Sequence, residues 1–306
     1  AVLEWDRDEI FPEAAIREML SPEIGLQLLF IPEAYGGVDA GARVASVLVE
    51  EVNRAGGDSA VLNAQMSICR TLVLNGNEQQ KQRYLPGVSS GDTRFLAVAA
   101  TEPDSGANMK ELASTARRDG DDWIINGSKT YISNGINGGA FVVAARTVPD
   151  QRHGIGLFVV EEGMAGFQRG RNLAKMGLKT QDTAELFFED VRVPAENVLG
   201  DPERGFYSLM HFLAEERLLS AVGSLANAEA AFAITLEYAG ERKVFGKSIS
   251  EYQVNRFKFA DMRMEMDVCQ AFIDQCVTVH NEGKLTAEDA AKAPTKKRRR
   301  RPRRPP

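Results

Sequence analysis

Phe95-Leu96-Ala97-Val98-Ala99 is the stretch at which the periodicity of this chain changes. Upstream, from Pro12 to about Gly91, apolar residues recur at helical spacing, broken by the loop Ile31-Pro32-Glu33-Ala34-Tyr35-Gly36-Gly37. Val44, Val47, Leu48 and Val52 mark one helix face, and Leu62, Met66, Cys69 and Val73 mark another. A third helix is predicted from Glu78 to Leu85, stopping at Pro86-Gly87. Downstream come short β-branched or aromatic runs separated by Gly, Asn and Asp turns: Trp123–Asn126, Phe141–Ala145, Gly156–Val160 and Ala184–Phe188. That spacing predicts an all-β barrel or sandwich. From Gly205 to about Glu282 the helical period returns in longer elements. The order α, β, α without βα alternation excludes a doubly wound sheet and leaves an α+β multidomain chain.

The 306 residues are enough for two or three packed units, and 43% hydrophobic with 26% charged residues is an ordinary globular composition. The formal net charge of -6 conceals an asymmetry. Nine of the 37 basic residues lie between Lys292 and Arg304 with no acid among them, so the preceding chain carries 28 bases against 43 acids. Such an acidic body does not attract nucleic acid. Residues 293–306 contain only Ala, Pro, Thr, Lys and Arg and cannot bury apolar surface, which predicts disorder. Cys69, Cys269 and Cys276 are too few and scattered for a disulfide framework or a closed metal site, and a reducing compartment is expected. His153, His211 and His280 show no metal-ligand spacing. No apolar run reaches the ~20 residues of a membrane span, and Ala1 to Ile10 lacks the pattern of a targeting signal.

There is no phosphate-binding G-x-x-x-x-G-K-[ST] loop, no dinucleotide-binding G-x-G-x-x-G turn and no G-x-S-x-G elbow. Phe212, Glu216, Leu219 and Gly223 recur at i, i+4, i+7 and i+11, placing a carboxylate on an apolar helix stripe. Desolvation there raises a carboxyl pKa, as a general base near neutrality requires. The other reading is an ion pair with an arginine from a neighbouring helix, and the pattern leaves both open. Lys129-Thr130-Tyr131-Ile132-Ser133-Asn134-Gly135 likewise reads either as a turn at a strand end or as a ring and hydroxyls offered to a planar cofactor.

Four blocks, in order, resemble the acyl-CoA dehydrogenase family. They are Ala100-Thr101-Glu102-Pro103-Asp104-Ser105-Gly106-Ala107-Asn108, Asn126-Gly127-Ser128-Lys129-Thr130-Tyr131-Ile132-Ser133-Asn134-Gly135, Gly177 to Phe188 with Val191-Arg192-Val193-Pro194, and Glu241-Arg242-Lys243-Val244-Phe245-Gly246-Lys247 followed by Gln253. The resemblance covers about residues 5–291 and is closest in wording to the long-chain branch. It implies a helical N-terminal domain over 1–93, a middle β-domain over 94–202 and an incomplete C-terminal helical bundle over 203–291, with 292–306 as a disordered basic tail. It implies FAD, with Val98, Ala100, Thr101, Ala107, Tyr131 and Ser133 on the positions of the family's flavin contacts. Arg242, Phe245 and Gln253 match the block that reaches the FAD of a neighbouring subunit, so a homo-oligomer, dimer or tetramer, is implied.

The implied reaction is α,β-dehydrogenation of a fatty acyl-CoA in β-oxidation, with electrons passed to an electron-transfer flavoprotein. Glu216, immediately before Arg217, matches the helix position of the catalytic base in the long-chain and isovaleryl branches, and Arg217 then lies beside the substrate channel. No metal, nucleic acid or membrane span is expected, and the compartment would be a bacterial cytoplasm or the mitochondrial matrix. Three departures stand out. Ala107-Asn108 replaces the usual Ser-Asp, Tyr131 stands where Trp is common, and the family text stops after Ala291, as in a truncated or frame-shifted reading. The competing expectation is an inactive fragment that binds acyl-CoA or protein weakly.

Overall fold

The computed structural model describes residues 2–293 apart from 22, 58–59, 92–94, 150 and 152, and without the side chains of 2–3, 60–65, 67, 95, 211 and 212. Short helices α1 (Val2–Asp8) and α2 (Glu13–Met19) precede α3 (Gly41–Arg54), α4 (Ala60–Asn75) and α5 (Glu78–Ser89). Seven strands follow: β1 (Phe95–Ala99), β2 (Thr115–Asp119), β3 (Asp122–Ser133), β4 (Gly138–Arg146), β5 (Ile155–Glu161), β6 (Phe167–Asn172) and β7 (Thr183–Val193). Then come α6 (Gly205–Glu241), the hairpin β8 (Lys243–Val244) and β9 (Lys247–Ser248), α7 (Gln253–Asn281) and α8 (Ala287–Lys292). The predicted α, β, α order stands.

Contacts divide the chain into two compact units, Ala1–Gly41 with Ala60–Phe212, and Ala42–Ser59 with Leu213–Pro306. The first is built on one seven-stranded curled sheet, in the order β1-β4-β2-β3-β7-β6 with β5 on the other flank of β4. β1 runs parallel to β4, whereas β2–β3, β3–β7, β6–β7 and β4–β5 are antiparallel. Phe141, Val143, Phe158, Val160, Ile125, Leu186 and Val191 form its core. This interior of branched and aromatic side chains is what the short β-branched and aromatic runs predict. Gly166 turns the chain into β6 at φ 82°, and an added Cβ there would meet the Glu189 carbonyl oxygen at 1.9 Å, so the turn admits no other residue without backbone movement. The helical flank is fastened by Gln80, whose amide closes a capping box with Asn77 and also donates to the Glu196 and Val198 carbonyls at 2.8 and 2.7 Å.

Three expectations change. α5 does not stop at Pro86 but continues to Ser89, because Leu85 and Val88 are buried and hold the last turn against the fold. In α3 the predicted apolar face is turned outward at Val44 and Val47 and is only half-buried at Leu48 and Val52. Val44 and Val47 are 45% and 57% exposed, while Ala42, Ala45, Ser46, Val49 and Asn53 are buried. The reason is a close helix approach in the second unit, where Gly223 of α6 lies against Val49 and Asn53 and a Cβ on it would sit 3.0 Å from the Asn53 amide nitrogen. Small residues are needed there and bulk is turned away. Finally, Lys292 ends α8 and Ala293 is buried, so the folded chain runs past residue 291, while the predicted disorder of 294–306 lies outside the described residues.

α6 is long and apolar enough, by length and composition only, to cross a membrane. It nonetheless buries Leu218, Leu219, Ala221, Val222, Leu225 and Ala226 within the second unit, as a core helix does.

Replacing Phe141, fully buried in the sheet core, by Ala removes a ring and leaves a cavity. The expected loss is about 3–5 kcal/mol, read as a lower denaturant midpoint in the signal of the β-rich unit.

Candidate functional site

The candidate residues fall into three groups. In the first unit, Ala97 and Ala99 of β1 face the core with no exposure, while the alternate residues Val98 and Ala100 are half-buried on the other side. Just beyond the strand, the Thr130 N–H of β3 donates to the Thr101 carbonyl at 2.9 Å. That bond brings the end of β1 beside the segment Thr130–Ser133, where Ile132 is buried, Ser133 half-buried and Tyr131 69% exposed. The pairing of β3 with β7 shifts register between Lys129 and Ile132, and Tyr131 sits in that bulge at φ 57°. A bulky residue at positive φ is strained, and bulges of this kind re-aim side chains. Here the ring is aimed away from the core it could have filled. Val98, Ala100, Thr101, Tyr131 and Ser133 are thus brought together, whereas Ala107 lies on an exposed loop closed by a bond from Ser105 Oγ to the Asn108 carbonyl.

Behind this face lies a pair to which the sequence reading assigned no role. Lys129 and Glu102 are buried, and Lys129 Nζ donates to Glu102 Oε1 at 2.7 Å, to the Ala144 carbonyl at 2.6 Å and to the Ala100 carbonyl at 3.3 Å. Glu102 also accepts from the backbone N–H groups of Ala113 at 2.6 Å and Ser114 at 3.0 Å. Burial pulls the Lys129 ammonium down, to about 8, against the opposing pull of the Glu102 charge. Burial also pushes the Glu102 carboxyl up, but the charge of Lys129 and the hydrogen bonds from Lys129, Ser114 and Ala113 outweigh it and hold Glu102 below 4.5. The available signal was a lysine inside a strand run, in one quoted block, opposite a glutamate in another.

The second group is Glu216 and Arg217 on α6. Glu216 is half-buried, and desolvation raises its pKa above 4.5 with only Arg217 opposing. Among the described residues no cation lies within ion-pair distance of it, so the neighbouring-helix arginine of the alternative reading is not found there. Its neighbour Glu215, by contrast, has His280 Nε2 at 3.5 Å. Arg217 is exposed.

The third group is at the far end of the same helix. Arg242 follows the last residue of α6, Phe245 tips the β8–β9 hairpin at φ 50° with 95% of its surface exposed, and the exposed Gln253 opens α7. At ~1.5 Å per residue, α6 places its last residue about 37 Å along its axis from Glu216. Within the second unit, therefore, the hairpin residues are not brought to the carboxylate.

The first group suits a flavin. It offers a solvent-facing aromatic ring, the hydroxyls of Thr101 and Ser133 and a strand edge, with no carboxylate among these residues. Among the described residues no three His, Cys, Asp or Glu side chains are arranged to hold a metal ion.

Glu102→Gln strands the Lys129 ammonium in the core and is expected to cost about 3–5 kcal/mol at pH 7 in urea unfolding. Because the folded-state pKa of Glu102 is depressed, its contribution is present above 4.5 and is lost as pH falls through the folded value. The gap between wild type and variant should therefore close in acid, and a gap independent of pH would contradict the pairing.

Three family descriptions match consecutive parts of the chain: "Acyl-CoA dehydrogenase, N-terminal domain" over residues 1–92, "Acyl-CoA dehydrogenase, middle domain" over 97–191 and "Acyl-CoA dehydrogenase, C-terminal domain" over 203–299. The last match runs past Ala291, where the sequence reading ends the resemblance. The long-chain specific acyl-CoA dehydrogenase, mitochondrial, of Sus scrofa is 38% identical over 273 residues, which is 88% of this chain and 63% of the Sus scrofa protein. The chain thus spans less than two thirds of that relative's length. The crystal structure of an acyl-CoA dehydrogenase from Geobacillus kaustophilus superposes with a TM-score of 0.89 at 38% identity, covering 95% of this chain and 77% of that one. A glutaryl-CoA dehydrogenase from Mycobacterium smegmatis in complex with FADH2 gives 0.87 at 28% identity over 95% and 73%. With every folded part matched in order, this chain belongs to the acyl-CoA dehydrogenase family.

Proposed function

We propose that the chain serves FAD-dependent α,β-dehydrogenation of a fatty acyl-CoA to the trans-2-enoyl-CoA, with electrons passed on to an electron-transfer flavoprotein. The observation that carries this reading is Glu216, a half-buried carboxylate whose proton affinity is raised by desolvation and which has no ion-pair partner among the described residues. Such a group is poised to take up a proton rather than to hold a cation. Its Oε removes the α-proton of the thioester, and the exposed Arg217 supplies positive charge beside the carboxylate and the anionic CoA. FAD, when bound, accepts the β-hydrogen as hydride. Tyr131 would cover one face of the ring, and the Thr101 and Ser133 hydroxyls with the Val98–Ala100 edge would hold its polar rim. Ala107 offers only backbone there. The FADH2 of the Mycobacterium smegmatis relative supports the choice of cofactor.

Arg242, Phe245 and Gln253 are assigned to the flavin of a second copy of the chain. A fully exposed phenylalanine fixed on a strained hairpin has no use in its own unit, and the length of α6 separates it from Glu216. The exposed stripe Val254, Phe257, Met264 and Val268 on α7 favours a second reading, in which the chain alone is a non-catalytic module that binds acyl-CoA or protein weakly.

The visible spectrum separates the two readings. The purified chain should be yellow and bleach anaerobically on addition of one member of an acyl-CoA panel, whereas a colourless chain favours the module. Glu216→Gln should keep the flavin band and slow bleaching by about 10²- to 10⁴-fold. Unchanged bleaching removes Glu216 from the reaction.

The pH profile gives a separate check. Reduction by substrate should rise with pH along a limb whose midpoint lies above 4.5, since Glu216 acts only when ionised and burial raises its pKa. Persistence of that limb in a still-active Glu216→Gln protein would assign the base elsewhere.

A further inference from the structure

We propose that the buried Lys129–Glu102 pair is a positioning device for the flavin-facing edge, turning the Ala100–Thr101 peptide so that its N–H points outward. The inference rests on the flavin reading of that face. It starts from the three acceptors around Lys129 Nζ, which come from three places in the sheet: Glu102 Oε1, the Ala144 carbonyl of β4 and the Ala100 carbonyl beyond β1. An ammonium has three N–H donors, so all three are committed. The carboxylate is fixed in turn by the Ala113 and Ser114 N–H groups, which leaves the ammonium little freedom to move.

The Ala100 carbonyl and the Thr101 N–H belong to one planar trans peptide and point in opposite directions. Drawing the carbonyl inward to Lys129 therefore aims the Thr101 N–H away from the core. The next peptide unit, Thr101–Glu102, is tied in turn by the bond from the Thr130 N–H to the Thr101 carbonyl. Thr130 lies between Lys129, 1% exposed, and Tyr131, 69% exposed, so one short segment sends the ammonium inward and the ring outward. The bulge that strains Tyr131 is what lets adjacent parts of β3 serve both sides. Lys129 and Glu102 touch neither cofactor nor substrate in this scheme. They act through Ala100 and Thr101.

The test must separate position from stability. The double variant Lys129→Met/Glu102→Gln removes both buried charges and keeps comparable volumes, so it should melt close to wild type. After removal of bound flavin, its affinity for FAD, read by quenching of flavin fluorescence, should be weaker by about 10- to 100-fold. Exchange of the Thr130 amide in the flavin-free chain should be faster. Glu102→Gln retains the Lys129 contact to Ala100 and should bind FAD more tightly than the double variant, which also serves where the double variant does not fold, because Lys129→Met alone can take its place in the comparison. A folded double variant with wild-type FAD affinity overturns the positioning role while leaving the flavin reading intact. A wild-type chain that takes up no FAD overturns the flavin reading and this role together.

Discussion

A single ammonium, Lys129, joins the end of β1, the middle of β3 and the body of β4. Most of the sheet is held by dispersion and backbone ladders that tolerate small shifts, but a desolvated ion pair does not. Its Coulombic gain offsets desolvation only while the geometry is kept. The pair therefore converts a soft arrangement of strands into a defined one at the edge where the candidate cofactor face lies.

The molecule holds two glutamates in opposite states for opposite ends. Glu102 is buried with its carboxylate accepting three hydrogen bonds, one from the Lys129 ammonium and two from backbone N–H groups, so its ionised form is favoured. Glu216 is half-buried, and desolvation raises its proton affinity against the single opposing charge of the exposed Arg217, the state that the proposed role requires. Residue type says nothing about which role a carboxylate takes. The environment built by strands in one case and by a helix stripe in the other decides it.

The architecture was legible because short β-branched and aromatic runs and the 3.6-residue period are local properties. β4 and β5, as continuous apolar runs, are read directly from spacing, and so are the buried Met66 and Cys69 of the α4 stripe, whose Leu62 side chain lies outside the described residues. What local pattern misreads is α3, where Val44 and Val47 look like the core face but small residues are buried instead to admit Gly223 of α6. That choice depends on a segment some 170 residues away, as does the grouping of α3 with the C-terminal helices. Pro86 failed as a helix stop for a similar reason: burial of Leu85 and Val88 outweighs the missing N–H. At the site, the exposed Tyr131 and the stripe position of Glu216 were visible in sequence. The Lys129–Glu102 contact was not, because nothing in either block states that the two meet.

The span of α6 has a genetic consequence. If its two ends serve the flavins of different copies, a chain damaged at Phe245 and a chain damaged at Glu216 are defective at different places in a mixed assembly. Some of the composite sites then receive an intact carboxylate from one allele and an intact hairpin from the other, so two null alleles can complement each other, whereas two alleles damaged at the same end cannot.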